Sequence, residues 1–524
     1  MKKIIVSAVT LVTLLTIPHL QSTMCFDCEC KATSKTFFTV RPQFQSASPE
    51  KDSLFHFDRM NVREDGYGGT FQIALFGGKS TESSKLSTYF TPFCKRCLLV
   101  KEDDMAGDAD IRAQHFNIAT INGVEGTGES FVSELSFCPK LSVFGIGLTF
   151  RQNISRLINQ DEEKVYDIFF EISSPITRVE TNMCLNEKIK SDGGGVAEID
   201  DIDQQFFPNI KDAFKQECWK YGKIDCRCEM VKWGLADIEL KIGIQNEKEN
   251  FCYGGYIGAI APTGNRPCAK YVFEPIVGNA KHWGLTQGGF TRYDLWKNED
   301  GDKRIFWETY IHSQYLFERS EKRSLDLKHK PWSRYMEIYE NSEQAQQAAN
   351  LDGNAARLLS SPGINLLTRD VCVTPGLSVS FMSSVMFSCQ NWSLELGYDL
   401  YARQAECVKL LCACEDESAI KAASGNGVTN KTRTINKDHN LCTGQINQFN
   451  SVNYQLGKIK REDLDLESAS HPGLISYTVY GAASYRWDDR EFPMLLGLGG
   501  SYEWGDENFV LSRWTIWTEY SFSW

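Results

Sequence analysis

The chain has 524 residues, a formal net charge of −12 at pH 7, 42% hydrophobic residues and a mean hydropathy of −0.34. The acidic balance argues against nucleic-acid binding, which requires a basic face, and the ordinary hydropathy argues against a bundle of membrane-spanning helices. The length allows two or three soluble domains, or one large β-barrel with long loops.

The N-terminus has the pattern of an export signal. Lys2 and Lys3 precede the apolar run 4–17, which Pro18 interrupts. The run is too short for a membrane-spanning helix. We therefore predict a signal peptide at residues 1–24 and a mature chain at residues 25–524 that begins with a cysteine-rich leader.

The sequence contains 18 cysteines. Compartments beyond the inner membrane are oxidising, so an exported chain with this content predicts disulfides rather than zinc sites. The pairing cannot be read from the sequence. The candidate disulfide cysteines are Cys25, Cys28, Cys30, Cys94, Cys97, Cys226, Cys228, Cys407, Cys412, Cys414 and Cys442.

Segments in which apolar and polar residues alternate, as in β-strands, recur along the chain. The predicted strands are Thr36–Phe44, Thr70–Phe76, Leu141–Arg151, Val165–Ser173, Pro175–Met183, Leu235–Gln245, Phe251–Ala261, Lys281–Trp296, Arg304–Glu318, Trp332–Tyr339, Val379–Cys389, Trp392–Arg403, Ile475–Trp487, Met494–Trp504 and Phe509–Trp524. Short helices are predicted near Asn209–Trp219 and over Ser342–Leu359, both within loops.

Strands of roughly ten residues, joined alternately by short turns and long polar loops, predict an all-β fold. The expected architecture is a transmembrane antiparallel β-barrel of roughly 12–16 strands, with long loops that carry short helices and with both chain ends in the periplasm. A soluble β-sandwich is the alternative, but its strands are usually shorter and its apolar faces must meet each other.

The last predicted strand ends the chain in aromatic residues on one face: Tyr520, Phe522 and Trp524. This ending resembles the C-terminal signal of Gram-negative outer-membrane β-barrels, although the glycine common earlier in that signal is missing. The resemblance implies that these three residues form an assembly signal read by the barrel insertion machinery.

The opposite face of the predicted strands is rich in charge. For any single residue a solvated wall is the simpler interpretation, while together the charges predict a selectivity lining. The candidate lumen-lining residues are Asp237, Glu239, Lys241, Arg304, Glu308, Glu395, Arg403, Arg513 and Glu519.

Sequence motifs for catalysis are weak. Phe76–Ser80 ends like a phosphate-binding loop but lacks its first glycine, and no Gly-x-Ser-x-Gly motif occurs. His312 near Glu308 would be the acid/base candidate of a surface hydrolase, the weakest of the functions considered. We therefore expect no enzyme, no metal and no cofactor.

The leader, Thr36–Phe44, Ala261–Gly264, Trp332–Tyr335 and the closing strand together resemble outer-membrane proteins of intracellular and amoeba-associated bacteria. The cysteine content is similar to that of the major outer-membrane porins of chlamydiae. The resemblance implies a porin-like channel for passive diffusion of small hydrophilic solutes, with a structural role in the envelope through disulfides. The alternative is a barrel plugged by its loops that acts as an adhesin or structural protein.

The partners expected from this interpretation are outer-membrane lipid, the barrel assembly machinery, and either further copies of the chain or envelope proteins joined to it by disulfides. No nucleic-acid partner is expected from the acidic charge.

Overall fold

The computed structural model describes residues 34–45, 47–54, 68–102, 109–158, 166–197, 206–225, 230–248, 250–339, 360–411, 421–422, 457–458 and 461–524. The predicted signal peptide and the helix predicted over Ser342–Leu359 lie outside these residues. So do the candidate cysteines Cys25, Cys28, Cys30, Cys226, Cys228, Cys412, Cys414 and Cys442.

Twelve long strands form a closed antiparallel barrel in the described part of the chain. They are β1 Gly69–Ser80, β2 Lys140–Asn153, β3 Asp167–Asn182, β4 Ile238–Lys248, β5 Phe251–Ala261, β6 Gly284–Lys297, β7 Lys303–Leu316, β8 Gly376–Cys389, β9 Trp392–Arg403, β10 Leu474–Trp487, β11 Met494–Trp504 and β12 Arg513–Ser523. Each strand pairs with its neighbours in sequence, and β12 pairs with β1 from Thr70↔Ser523 to Ser80↔Arg513. The predicted fold class is confirmed.

Side chains alternate strictly between the inside and the outside of the barrel. In β4, Glu239 and Lys241 are 6% and 3% exposed, whereas Ile242 and Ile244 are 50% and 52% exposed. Successive side chains of a strand point to opposite faces, so the polar set lines the interior and the apolar set faces outward. An apolar exterior around a polar interior is the arrangement of a transmembrane barrel. None of the helices among the described residues is long and apolar enough to span a membrane.

Three strand predictions need correction. Thr36–Phe44 is not a strand: it begins in the cap, where the Thr36 hydroxyl donates to the Ser324 carbonyl, and enters the barrel, where Arg41 contacts Asp399. The two segments predicted at Val165–Ser173 and Pro175–Met183 form the single strand β3. Trp332–Tyr339 is a 3₁₀ turn followed by a three-residue strand outside the barrel.

Pro175 is tolerated within β3 because the neighbouring strand is interrupted beside it. Strand Met230–Leu235 pairs with the upper part of β3 and β4 with the lower part, and residues 236–237 separate the two. The carbonyl of Pro175 accepts a hydrogen bond from the Ala236 N–H at this gap. Proline has no backbone N–H to donate to a neighbouring strand. Because the neighbouring strand is interrupted here, little hydrogen bonding is lost.

The two ends of the barrel differ. The connections at residues 154–166, 249–250, 298–302, 390–391 and 488–493 form the turn end, where β1 also begins and β12 stops; all but the first have at most six residues. The connections at residues 81–139, 183–237, 262–283, 317–375, 404–473 and 505–512 form the loop end, and all but the last have more than 20 residues. Barrels of this class place short turns in the periplasm and longer loops outside.

The long loops contain small sheets and short helices. Their strands are Cys97–Lys101, Ile111–Arg112, Phe131–Phe137, Leu185–Asp192, Met230–Leu235, Arg319–Ser324, Asp326–Leu327, Glu337–Tyr339, Ser360–Pro362, Thr368–Thr374, Cys407–Leu410, Lys421–Ala422, Gly457–Lys458 and Leu464–Asp465. The helices are Ser83–Phe90, Ile121–Glu125, Ile210–Ala213 and Gly363–Leu367, with 3₁₀ turns at Pro92–Cys94, Ala113–Phe116, Ser333–Tyr335, Arg461–Asp463 and Glu467–Ala469. At the turn end, Ile154–Ile158 follows β2.

These loops pack into one folded unit, which we call the cap. Its hydrophobic core joins Leu98, Phe214, Val272, Trp332 and Leu511, which come from five different loops. The rings of Trp219 and Tyr335 stack with centroids 5.1 Å apart. These segments were predicted to be polar loops, whereas their described residues have a buried core of their own.

Candidate functional site: the filled lumen

The lumen is occupied by the chain itself. Residues 34–54, which we call the plug segment, start at the cap, where the Ser34 hydroxyl donates to Asp326 at 2.9 Å. They end near the turn end, where the Leu54 N–H donates to Glu395 of β9 at 2.8 Å. A one-turn helix, Pro49–Asp52, lies between. The first described residue, Ser34, is therefore at the loop end. The N-terminus of the mature chain, which we predicted to be periplasmic, lies outside the described residues.

Arg41 anchors the upper part of the plug segment. Its guanidinium donates to Asp399 of β9 at 2.7 Å and to the Ser380 hydroxyl of β8 at 3.3 Å. The guanidinium of Arg513 in β12 donates to the Arg41 carbonyl at 3.1 Å and pairs with Glu503 at 2.7 Å. Asp399 is fully buried, so this ion pair neutralises a wall charge that would otherwise be costly in a closed lumen.

Lys51 anchors the lower part. Its ammonium lies 3.0 Å from Glu239 of β4 and donates to the Ser173 hydroxyl of β3 at 3.0 Å. Lys241 continues the network, 3.0 Å from Glu171 and 3.3 Å from Glu239. All four ionisable groups are buried, and their alternating signs join the plug segment to two barrel strands.

Phe44 fits a recess in the wall. Its ring stacks on Phe76 with centroids 5.8 Å apart and planes 3° from parallel. Opposite the ring is Gly147 of β2, where an added Cβ would overlap three ring atoms of Phe44. The absence of a side chain at this inward position is what admits the phenyl ring.

Replacing Gly147 by Val is expected to loosen the plug segment without opening the barrel. Overpacking of this kind costs about 1–3 kcal/mol, so the displaced state should become roughly 5- to 150-fold more populated. The rate at which added protease cleaves within residues 34–54 reports that population. Gly255→Val is the control, since a Cβ there meets only one atom, at an ordinary 3.5 Å; equal cleavage of both variants would contradict the fit.

The structure places the predicted lumen residues as follows. Glu239, Lys241, Glu395, Arg403, Arg513 and Glu519 are buried on the inward face, and Arg304 and Glu308 share the inward register of β7 with partial exposure. Asp237 does not present its carboxylate to the open lumen. The carboxylate accepts hydrogen bonds from the backbone N–H groups of Thr263, Gly264 and Asn279. A role of these residues in solute selection stays a prediction.

The predicted assembly signal lies on the outer face of β12. Tyr520 is 38% exposed, and Phe522 and Trp524 are half-buried. The backbone of Trp524 exchanges two hydrogen bonds with Gly69, at 3.0 and 3.2 Å, at the start of β1. The three residues therefore lie at the seam that closes the barrel.

His312 does not form the predicted pair with Glu308. Its Nδ1 is hydrogen-bonded to the Tyr256 hydroxyl at 2.7 Å, and the residue is 1% exposed. The side chain is part of the polar wall beside the plug segment, on the residue paired with Ser380, to which Arg41 donates.

A second ionic cluster joins three loops of the cap. Arg323 lies 2.6 Å from Glu321 and 3.2 Å from Glu406, and His282 Nε2 is 2.7 Å from Glu321. The guanidinium of Arg323 also covers the ring of Phe37 at 3.1 Å, so the cluster holds the plug segment as well. Burial acts to raise the pKa of Glu321 and Glu406, but Arg323 together with the other cations beside them, His282 at Glu321 and Arg403 at Glu406, lowers both pKa values below the usual range.

The cap is expected to lose stability as the pH falls from 6.5. Burial, aided by Arg403, lowers the pKa of His471 well below its usual value, while Glu406 opposes the shift. As the pH falls, the His471 imidazole therefore binds a proton in the unfolded protein before it does so in the folded protein. The free energy of unfolding then falls by about 1.4 kcal/mol per pH unit below pH 6.5. The depressed carboxylates add a further loss only below about pH 4.3, their unfolded pKa.

The urea midpoint of the near-UV circular dichroism, followed from pH 7.5 to 4, measures this loss. The His471→Phe variant should not lose stability between pH 6.5 and 5. It should still lose stability below about pH 4.3, where the carboxylates bind protons. The same slope in both proteins would show that His471 is not responsible.

The candidate cysteines within the described residues, Cys94, Cys97 and Cys407, are thiols that take part in no disulfide, as are the other seven cysteines described. Cys94 and Cys97 are close in sequence but are not joined by a disulfide here. Among the described residues no cluster of His, Cys, Asp and Glu has the arrangement of a metal site.

Sequence reasoning missed the plug segment and its anchors Arg41 and Lys51. Pro42 inside the predicted first strand, and the helical Pro49–Asp52 directly after it, were the available signals, because proline is disfavoured within a paired strand.

Comparison with protein-family models and with curated proteins gives no match for this sequence. Among solved structures, the chain is similar to an outer membrane channel from Pseudomonas putida F1, with 8% identity over 92% of this chain and 99% of that chain and a TM-score of 0.34. It is also similar to the transport unit of the autotransporter AIDA-I from Escherichia coli, with 7% identity over 90% and 94% of the chains and a TM-score of 0.32. The translocator domain of autotransporter NalP from Neisseria meningitidis has 7% identity over 89% and 91%, with a TM-score of 0.27.

Proposed function

We propose that the protein is an outer-membrane channel of a Gram-negative bacterium that is closed at rest by its own plug segment. Small hydrophilic solutes pass by diffusion when that segment leaves the lumen. The observation that supports this most directly is the pairing of Arg41 with Asp399 and of Lys51 with Glu239. A wall whose charges are matched by a removable segment remains a polar, water-compatible passage once the segment is gone.

The outward surface supports an outer-membrane location. Large apolar side chains are exposed around the barrel. Aromatic rings are exposed toward both ends, among them Trp296 and Trp392 at the turn end and Trp283 and Trp514 at the loop end. Aromatic girdles mark the interface between lipid and water in barrels of this class. The predicted export signal agrees with this location, and lipid and the barrel assembly machinery are the partners that it requires.

Beside Lys51 and Asp52 of the plug segment, the lumen already has the lining of a solute passage. The barrel wall of this cavity includes Arg151, Glu171, Arg292, Glu308 and Glu395. Both signs of charge are present, so the passage would admit hydrophilic solutes without a strong preference for one sign.

Conductance in planar bilayers tests the proposal. We expect the purified protein to remain mostly closed and Lys51→Glu to open, because the new carboxylate would face Glu239 and repel it. Lys303→Glu is the control, since Lys303 is an exposed residue at the turn end of β7. Steady conductance of the unmodified protein would contradict a closed resting state. Absence of conductance in every variant, including one cleaved within residues 34–54, would contradict the channel.

A non-conducting structural or adhesive barrel is the second candidate, and the cap favours it. The cap closes the loop end with a hydrophobic core of its own, to which Phe38 of the plug segment contributes. Further copies of the chain, or envelope proteins linked to it by disulfides, would then be its partners. No hydrolytic activity is proposed, because His312 is buried and bonded to Tyr256.

A further inference from the structure

Two cysteines face each other where the β2–β3 ribbon leaves the barrel and enters the cap. Below this point Lys140 pairs with Asn182, and above it Phe137 pairs with Leu185. Both pairs belong to the same antiparallel register, since their residue numbers have the same sum. Continuation of that register places Cys138 directly opposite Cys184.

Backbone contacts confirm that the two residues are neighbours. The Cys138 N–H donates to the carbonyls of Met183 and Cys184, each at 3.2 Å. Opposed residues that share a hydrogen bond in an antiparallel pair have Cα atoms about 5.5 Å apart, within the range of about 4.4–6.8 Å that a disulfide spans. Cys184 has φ +46°, a left-handed conformation that marks the bend between barrel and cap.

The other cysteines in described strands are not placed in this way. Cys97 opposes Ser136, Cys372 opposes Lys409, and Cys407 opposes Thr374. Cys252 and Cys389 lie in barrel strands and likewise oppose other residue types. Across the described strand pairings and the continuation of their registers, Cys138 and Cys184 are thus the cysteines that lie opposite each other.

We propose that Cys138 and Cys184 form an intramolecular disulfide in the exported protein. Both are thiols in the structure and half-buried, so the bond requires oxidation. The oxidant is the disulfide of a thiol oxidoreductase: one cysteine thiolate attacks it to form a mixed disulfide, and the other then attacks the protein sulfur and releases the reduced dithiol. Two protons and two electrons leave the cysteine pair, and one S–S bond forms in the protein.

The disulfide would fix the hinge between cap and barrel. It closes the chain segment 138–184, which contains the whole β2–β3 hairpin, and it lies where the regular strand pairing is interrupted. A covalent bond at this point prevents the two strands of the ribbon from separating at the barrel rim. The proposal depends on export into an oxidising compartment, not on conductance, so it can fail or succeed independently of the channel.

Thiol labelling of the whole exported protein tests the pair. Isolated envelopes are treated with N-ethylmaleimide in denaturant without reductant, digested, and analysed by mass spectrometry. We expect Cys138 and Cys184 to be unlabelled and to be recovered as one cross-linked peptide. In Cys138→Ser, Cys184 should become labelled, and in Cys184→Ser, Cys138 should become labelled. Cys97→Ser is the control and should leave both protected.

Other outcomes overturn the pairing. Labelling of both cysteines in the unmodified protein would show that no bond forms. Continued protection of Cys184 in Cys138→Ser would show that it is bonded to a different cysteine. Heat-modifiable gel migration of each variant, run in parallel, establishes that the barrel has folded, so a change in labelling reports the bond and not misfolding.

Discussion

Deletion of Phe522–Trp524 is expected to abolish barrel assembly while export of the chain continues. The deletion removes the pairs Thr70↔Ser523 and Phe71↔Phe522 and both backbone hydrogen bonds between Gly69 and Trp524. It also removes the aromatic contacts of Trp524 with Phe150, at 5.9 Å, and with Phe522, at 5.7 Å. The turn end of the seam would then be an open strand edge in lipid, where unpaired backbone groups cost several kcal/mol each.

The measurement is heat-modifiable gel migration of membrane fractions, with the processed chain detected by immunoblot to show export. Matched pairs of substitutions on the same face of β12 separate position from loss of apolar surface. Phe522→Ala/Trp524→Ala should assemble poorly, whereas Trp514→Ala/Ile516→Ala, at the loop end of the same strand, should assemble well. Normal assembly of the truncated chain would refute the role assigned to these residues.

The barrel could be predicted from the sequence because the alternation of polar and apolar residues is visible within each strand by itself. In β4 each inward Glu239 or Lys241 is followed by an outward Leu240 or Ile242, and a strand that separates water from lipid must repeat this alternation. The same reasoning located the hairpin of β8 and β9 to within a few residues. Pairing of β1 with β12 is not a local property, so closure could be inferred only from the ending at Trp524.

The plug segment could not be predicted because an alternating pattern does not show whether a segment is part of the barrel wall or lies in the barrel interior. Residues 36–44 alternate like a strand, but their partners are side chains of the barrel interior, such as Thr515, whose hydroxyl accepts from the Gln43 amide at 2.6 Å. That contact spans 472 positions in the sequence, and nothing local to Gln43 indicates it. The cap escaped prediction for the same reason, since its core combines single residues from several loops.

Arg41→Ala is expected to release the plug segment more strongly than any other single truncation in it. The substitution leaves Asp399, which is fully buried, without its cation. Removal of one partner of a buried ion pair costs about 3–5 kcal/mol, because the other charge stays in a poor solvent. Arg41 also donates to the Ala47 carbonyl at 2.6 Å and covers the ring of Tyr401 at 4.4 Å, so packing is lost as well.

The protease cleavage rate within residues 34–54 should rise by about 100-fold or more, the equivalent of at least about 3 kcal/mol. A double-mutant cycle isolates the ion pair from the lost packing. Asp399→Asn removes the charge that Arg41 neutralises, so the double variant Arg41→Ala/Asp399→Asn should be cleaved more slowly than Arg41→Ala alone. Additive effects of the two substitutions would show that Arg41 holds the plug segment by packing and not by its charge.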